Sequence, residues 1–164
     1  MDFIVLGLPR SGTTWLANWL TTDRSLCLHD PFNELPENWP RDARRFGISC
    51  TGAYLMPRWL KQWDCPVAVI EREPAKCDAS LGAMGLGTTE QLLEPFLDVE
   101  GRRFAFADIW AEEKAAELWA YLLPGIPFDA LRYRQLKHMQ VQPYQWRLNE
   151  TVLAELAARG LFER

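Results

Sequence analysis

The sequence is short of the residues that build metal sites. It has two histidines, His29 and His138, and four cysteines, Cys27, Cys50, Cys65 and Cys77, with no Cys-x-x-Cys pair. Those spacings exclude the usual zinc frameworks, and no metal is expected. Long apolar runs are missing too. The N-terminal run "FIVLGL" ends at Pro9-Arg10 and has no basic leader, so it is neither a signal peptide nor the roughly 20-residue span of a membrane helix. Positive charge is not in excess: the net charge is −4 and the pI about 5.3. Neither a nucleic-acid backbone nor an anionic membrane is therefore an expected partner. An anionic ligand would need cations gathered locally. The even cysteine count permits two disulfides, but Cys27, Cys65 and Cys77 fall in or beside predicted core elements. Free thiols in a reducing compartment are the expectation, with the cytoplasm as default location.

What is present is a globular composition, 48% hydrophobic and 24% charged over 164 residues, which suits one domain over 1–164. No repeat, linker or low-complexity segment interrupts it. Short β-branched runs bounded by Gly and Pro predict strands over 2–7 and 66–71, with another at 26–28. "RRFAFADI" predicts a further strand. Helical spacing predicts helices over 13–22, 52–63 (with Pro57 a kink), 74 to Gly82 or Gly85, 88–98, 111–123, 127–139 and 149–159. The proline-rich segment 30–47 reads as a loop. Alternating strands and helices argue for an α/β fold, a parallel sheet flanked by helices on both faces. Ligands of such sheets bind beyond the carboxyl ends of the strands.

One stretch lies where that rule points. "IVLGLPRSGTTWLANWL" runs from a strand through a glycine-bounded turn into a helix. Such a turn aims backbone N–H groups at one spot and adds the positive end of the helix dipole. Gly7 and Gly12 permit close approach of an anion. Ser11, Thr13 and Thr14 add hydroxyls, and Arg10 adds a charged fork suited to phosphate or sulfate oxygens. The common nucleotide loop, G-x-x-x-x-G-K-[ST], would put lysine where Thr13 stands.

"PRSGTTWL" resembles the 5′-phosphosulfate loop of the sulfotransferases, a family with a three-layer P-loop-type sheet whose donor is 3′-phosphoadenosine 5′-phosphosulfate (PAPS). In that loop threonine is the ordinary residue after the second glycine. The resemblance implies that Arg10 holds the donor's 5′ end and stabilises the transferring sulfuryl group. Ser11, Gly12, Thr13 and Thr14 would bind the 5′-phosphate, and Trp15 would stack on the adenine. The family's second signature is an Arg at a strand end, Pro two residues on and Ser eight after the Arg. "REPAKCDAS" supplies Arg72, Pro74 and Ser80 at that spacing, and Arg72 and Ser80 would grip the 3′-phosphate. The two signatures span residues 4–80.

Sulfuryl transfer to a hydroxyl or amine also needs a base. Related members use a carboxylate soon after the first helix, and "LHDPFNE" places His29 and Asp30 there. Arg10, His29 and Asp30 are thus the catalytic candidates; the plainer alternative has Asp30 capping a turn and His29 on the surface. Three features depart from the family. Glu71, Glu73 and Asp78 lie beside Arg72 and oppose a phosphate unless they point away. No late basic-glycine loop is present; "RYRQLKH" offers Arg132, Arg134 and Lys137 on a predicted helix, read as a solvated face, with His138 structural or exposed. The chain is also short for the family. Two other readings stay open: a non-catalytic binding or assembly protein, and a P-loop kinase or NTPase using Asp108 for magnesium. The acceptor, a small molecule or a peptide, is not encoded in any readable motif. Trp39, in the charged loop, is a candidate for lining an acceptor pocket or an interface.

Overall fold

A computed structural model of the chain describes residues 1–42, 44–139 and 150–162. Five strands, β1 (Phe3–Gly7), β2 (Ser25–His29), β3 (Arg45–Cys50), β4 (Val67–Glu71) and β5 (Arg102–Ala105), form one all-parallel sheet in the order β2-β3-β1-β4-β5. Interleaved with them are α1 (Thr13–Leu20), α2 (Pro57–Leu60), α3 (Pro74–Gly82), α4 (Glu90–Leu97), α5 (Glu112–Leu122), α6 (Ala130–Lys137) and α7 (Glu150–Ala158). Residue 149, the expected start of the last helix, lies outside the described residues.

The centre of the sheet explains why "FIVLG" is apolar without alternation. Every residue of β1 is buried, because both faces of a parallel inner strand are covered. Phe3 and Val5 pack with Leu16 and Trp19 of α1 and Leu118 of α5. Ile4 and Leu6 face the other way, onto Ile48, Trp59, Cys77 and Phe96. Trp39 belongs to this second core. It is 4% exposed, its indole N–H donates to the Pro31 and Glu34 carbonyls, and it is in the wall of neither cavity described below. All four thiols are free, and burial raises those of Cys27 and Cys50 well above the ordinary value.

Three expectations are corrected. The expected loop 30–47 contains the start of β3, which lies beside β1 with Ile4 opposite Ile48. Its glycine misleads because it answers to a distant residue: a Cβ at Gly47 would sit 2.4 Å from the Phe3 ring. The expected helix 52–63 is reduced to a 3-10 turn at Ala53–Leu55 and the single turn of α2. Pro57 lacks the N–H that would continue a helix from the preceding turn, and it starts α2 instead. The strand in "RRFAFADI" also stops early. The Asp108 carboxylate accepts the Ala105 N–H at 3.1 Å and closes a turn there.

Candidate functional site

The turn between β1 and α1 is built by its own side chains. Ser11 is fully buried, and both its hydroxyl (2.6 Å) and its N–H (3.1 Å) donate to the Leu8 carbonyl. It braces the loop rather than offering a donor outward. Gly7 is required by that brace, since a Cβ there would lie 2.1 Å from the Ser11 hydroxyl. Gly12 precedes α1 at φ 84°, in the left-handed region, and no side chain caps the helix. The first-turn N–H groups of α1 thus have no intrahelical acceptor, and the helix dipole favours an anion there.

Among the described residues, two non-glycine residues adopt positive φ: Arg10 at 72° and Asp30 at 41°. Each such residue costs on the order of 1–3 kcal/mol and persists where the surroundings fix it. At Asp30 those surroundings are explicit. Its carboxylate accepts the Thr51 N–H at 2.6 Å and the Thr51 hydroxyl at 3.0 Å, which ties the end of β2 to the end of β3. Its other neighbour is His29, whose Nε2 is 3.2 Å from the Asp30 carboxylate, 3.0 Å from the Thr14 hydroxyl and 3.3 Å from the Thr13 hydroxyl. His29 therefore touches the loop from the end of β2, and Asp30 reaches it only through His29; neither is among the residues that line the cavity described below. Burial lowers the His29 pKa from its ordinary value, and the Asp30 charge partly opposes that shift.

The two sequence signatures meet. Arg10 Nε donates to the Ser80 hydroxyl at 2.9 Å, and an Arg72 N–H donates to the Arg10 carbonyl. The Arg72 guanidinium lies over the Phe106 ring, 4.4 Å from its centroid, while its Nε is buried without a partner. A cavity of about 390 Å³ opens here, with Arg10, Gly12, Thr13, Thr14, Trp15 and Arg72 in its wall. Ser11 and Ser80 stand behind that wall. Its remaining walls include Phe106, Trp110, Lys137 and His138. Among the described residues, no carboxylate lines it.

The acidic neighbours of Arg72 point elsewhere. Glu71 pairs with Arg103 at 3.0 Å, Glu73 with Lys76 at 2.8 Å, and the Asp78 carboxylate accepts the Thr89 N–H at 2.7 Å. The cavity thus collects Arg10, Arg72 and Lys137 in a chain whose net charge is negative.

Trp15 lines the cavity but is only 4% exposed. Trp19 stacks on it at 5.3 Å, Trp110 tilts against it at 4.9 Å, and its N–H donates to the Leu136 carbonyl at 2.9 Å. Phe106 and Trp110 are the more exposed rings of the site. Sequence reasoning missed Lys137 and His138 as site residues. Their one legible signal was basic character at the C-terminal end of a helix.

A second cleft, about 510 Å³, lies at the amino ends of β4 and β5 between Leu60, Trp63, Val67 and Val99. It is at the far end of the sheet from the loop and gathers no cluster of cations. Among the described residues, no group of three His, Cys, Asp or Glu side chains is placed to hold a metal ion, and no helix is long and apolar enough to cross a membrane. Compared with family models, with curated proteins and with solved structures, the chain has no match in any of the three.

Proposed function

We propose that the chain is a sulfotransferase of the three-layer P-loop type, moving a sulfuryl group from PAPS to a hydroxyl or amine of a small-molecule or peptide acceptor. One observation carries the reading. Two signatures about 70 residues apart in sequence meet through the Arg10–Ser80 hydrogen bond at the wall of a cavity that, among the described residues, is lined by cations and free of carboxylates. The cavity volume falls within the range of small-molecule sites. Arg72, with a buried Nε lacking a partner, is a donor suited to a phosphate oxygen.

On this reading the 5′-phosphate rests on the N–H groups that begin α1, with the Thr13 and Thr14 hydroxyls beside it. Arg10 neutralises charge on the sulfuryl oxygens as they separate from the 5′-phosphate. Arg72 holds the 3′-phosphate, and Ser80 orients Arg10. The acceptor oxygen or nitrogen attacks sulfur in line, forming the new bond as the bond from sulfur to the 5′-phosphate oxygen breaks. The acceptor proton passes to the His29–Asp30 pair. His29 is held in its neutral form by burial, and Asp30 at 3.2 Å stabilises the imidazolium that results. Asp108, the magnesium candidate of the kinase or NTPase reading, is not among the residues that line the cavity, which favours that reading less.

Calorimetric titration with adenosine 3′,5′-bisphosphate, on the folded protein and on Arg10→Ala and Arg72→Ala, tests the reading. Binding weakened by both substitutions is expected. No heat at high ligand concentration sinks it; if Mg-ATP also fails to bind, the chain is left as a binding or assembly protein.

A further inference from the structure

Trp15 and Lys137 are linked in a way the functional reading does not use. α6 is docked on α1 at two points. At its start, Arg132 donates to the Asn18 and Thr21 carbonyls at the end of α1, at 2.8 and 2.6 Å. At its finish, the Leu136 carbonyl accepts the Trp15 indole N–H at 2.9 Å. Between them the Tyr133 hydroxyl donates to the Ile109 carbonyl at 3.1 Å. α6 therefore runs antiparallel to α1, and its last turn rests on the helix turn that opens the anion loop.

Trp15 is the point of contact. It follows Thr14 directly, so its backbone lies in the first turn of α1 while its indole N–H grips a residue 121 positions away. The next residue after Leu136 is Lys137, half-buried, lining the cavity opposite Arg10 and Arg72. Among the described residues, Glu112 is an acid close enough to interact with the Lys137 charge. Arg134 holds that carboxylate with two hydrogen bonds of 2.7 Å, so it is already neutralised. The Lys137 ammonium packs 5.9 Å from the Tyr133 ring centroid, on the wall of the site.

We propose that Trp15 is a positioning residue, whose N–H fixes the end of α6 so that Lys137 supplies the third cation of the ligand site. The proposal rests on the anionic ligand of the functional reading. It gives Trp15 a different task from a base platform, since its ring is packed against Trp19 and Trp110. A planar base in the cavity would instead meet Phe106 and Trp110. Such a site selects a ligand with more than one anionic group, because its cations come from three separate elements.

The test is a double-mutant cycle in binding of adenosine 3′,5′-bisphosphate, using Trp15→Phe, Lys137→Ala and the pair. Loss of one charge-assisted contact predicts about a tenfold rise in Kd for Lys137→Ala. Trp15→Phe keeps an aromatic ring and loses the N–H. It should weaken binding by several-fold (about 3 to 10) in the wild-type background and have little further effect once Lys137 is alanine. Equal effects of Trp15→Phe in both backgrounds overturn the coupling, and an unchanged Kd for Lys137→Ala overturns the third cation. Amide exchange at residues 132–139, measured without ligand, should speed up in Trp15→Phe and stay unchanged in Lys137→Ala. Unaltered exchange in Trp15→Phe overturns the anchor. If the wild-type protein binds no bisphosphate, the functional reading fails and the role of Lys137 falls with it, while the exchange experiment still decides the anchor.

Discussion

Gly12→Ala tests the loop geometry without reference to any ligand. Two costs add. At φ 84° a Cβ sits in the left-handed region, a conformation that costs an L-residue roughly 1–2 kcal/mol. The added methyl would also lie 2.9 Å from Ile109 Cδ1 and 3.3 Å from the Phe106 ring. Ile109 is fully buried in the core under α1, so its movement is overpacking, worth about 1–3 kcal/mol. The sum is roughly 2–5 kcal/mol, and for a chain of this length each kcal/mol lowers Tm by about 2–4 °C. A fall of about 4–20 °C is expected by differential scanning calorimetry. Gly52→Ala is the control. Gly52 has φ −140° and no atom within 4 Å of an added Cβ, so it should stay within about 0.5 kcal/mol of wild type. A Gly12→Ala protein melting within a degree of the parent would refute the argument that this backbone is held left-handed against Ile109.

Gly82 ends α3 with open space around it, and Gly82→Ala should raise stability by roughly 0.5–1 kcal/mol in urea denaturation. His29 is the group to follow with pH. Its folded pKa is lowered, so below the unfolded value, near 6.5, the unfolded chain binds the extra proton. Stability should be full above that value and fall as pH drops from it towards the folded pKa; His29→Gln should flatten this slope in melts between pH 7 and pH 5. Thiol labelling should follow burial: Cys65, half-buried, should react before Cys27, Cys50 and Cys77 in the native protein. Asp30→Asn keeps a residue that tolerates positive φ and removes the charge. Bisphosphate affinity should change by less than about threefold, a few tenths of a kcal/mol, while turnover with a labelled donor falls by two or more orders of magnitude, the usual share of a general base.

Legibility in the sequence followed the distance to whatever imposes a residue's environment. β1 and β4 were readable because a buried inner strand needs only its own apolar run. The anion loop was readable for a similar reason, as the turn and the residues that shape it lie within Gly7–Thr14. β3 was not, because its exceptions answer to residues elsewhere. Gly47 makes room for the Phe3 ring, and Ser49 is buried because its hydroxyl donates to the Thr13 carbonyl, 36 residues away, at 2.8 Å. Read alone, a glycine and a serine in "RFGISC" weaken a strand; in the sheet they are what the neighbours require.

The same distinction governs charge. Three acids near Arg72 in sequence are a reason to doubt a phosphate site only if sequence neighbours are spatial neighbours. On strand and helix ends they are not: Glu71 turns to Arg103, Glu73 to Lys76 and Asp78 to the Thr89 N–H. Conversely Lys137 lies more than 120 residues from the loop in sequence, and α6 is brought to it by long-range bonds, that from Trp15 to Leu136 being the one beside Lys137. Net charge therefore said little about this cavity, because at physiological salt an exposed charge is screened beyond about 8 Å. Among the described residues, the charged side chains set in the cavity wall beside the start of α1 are Arg10, Arg72 and Lys137.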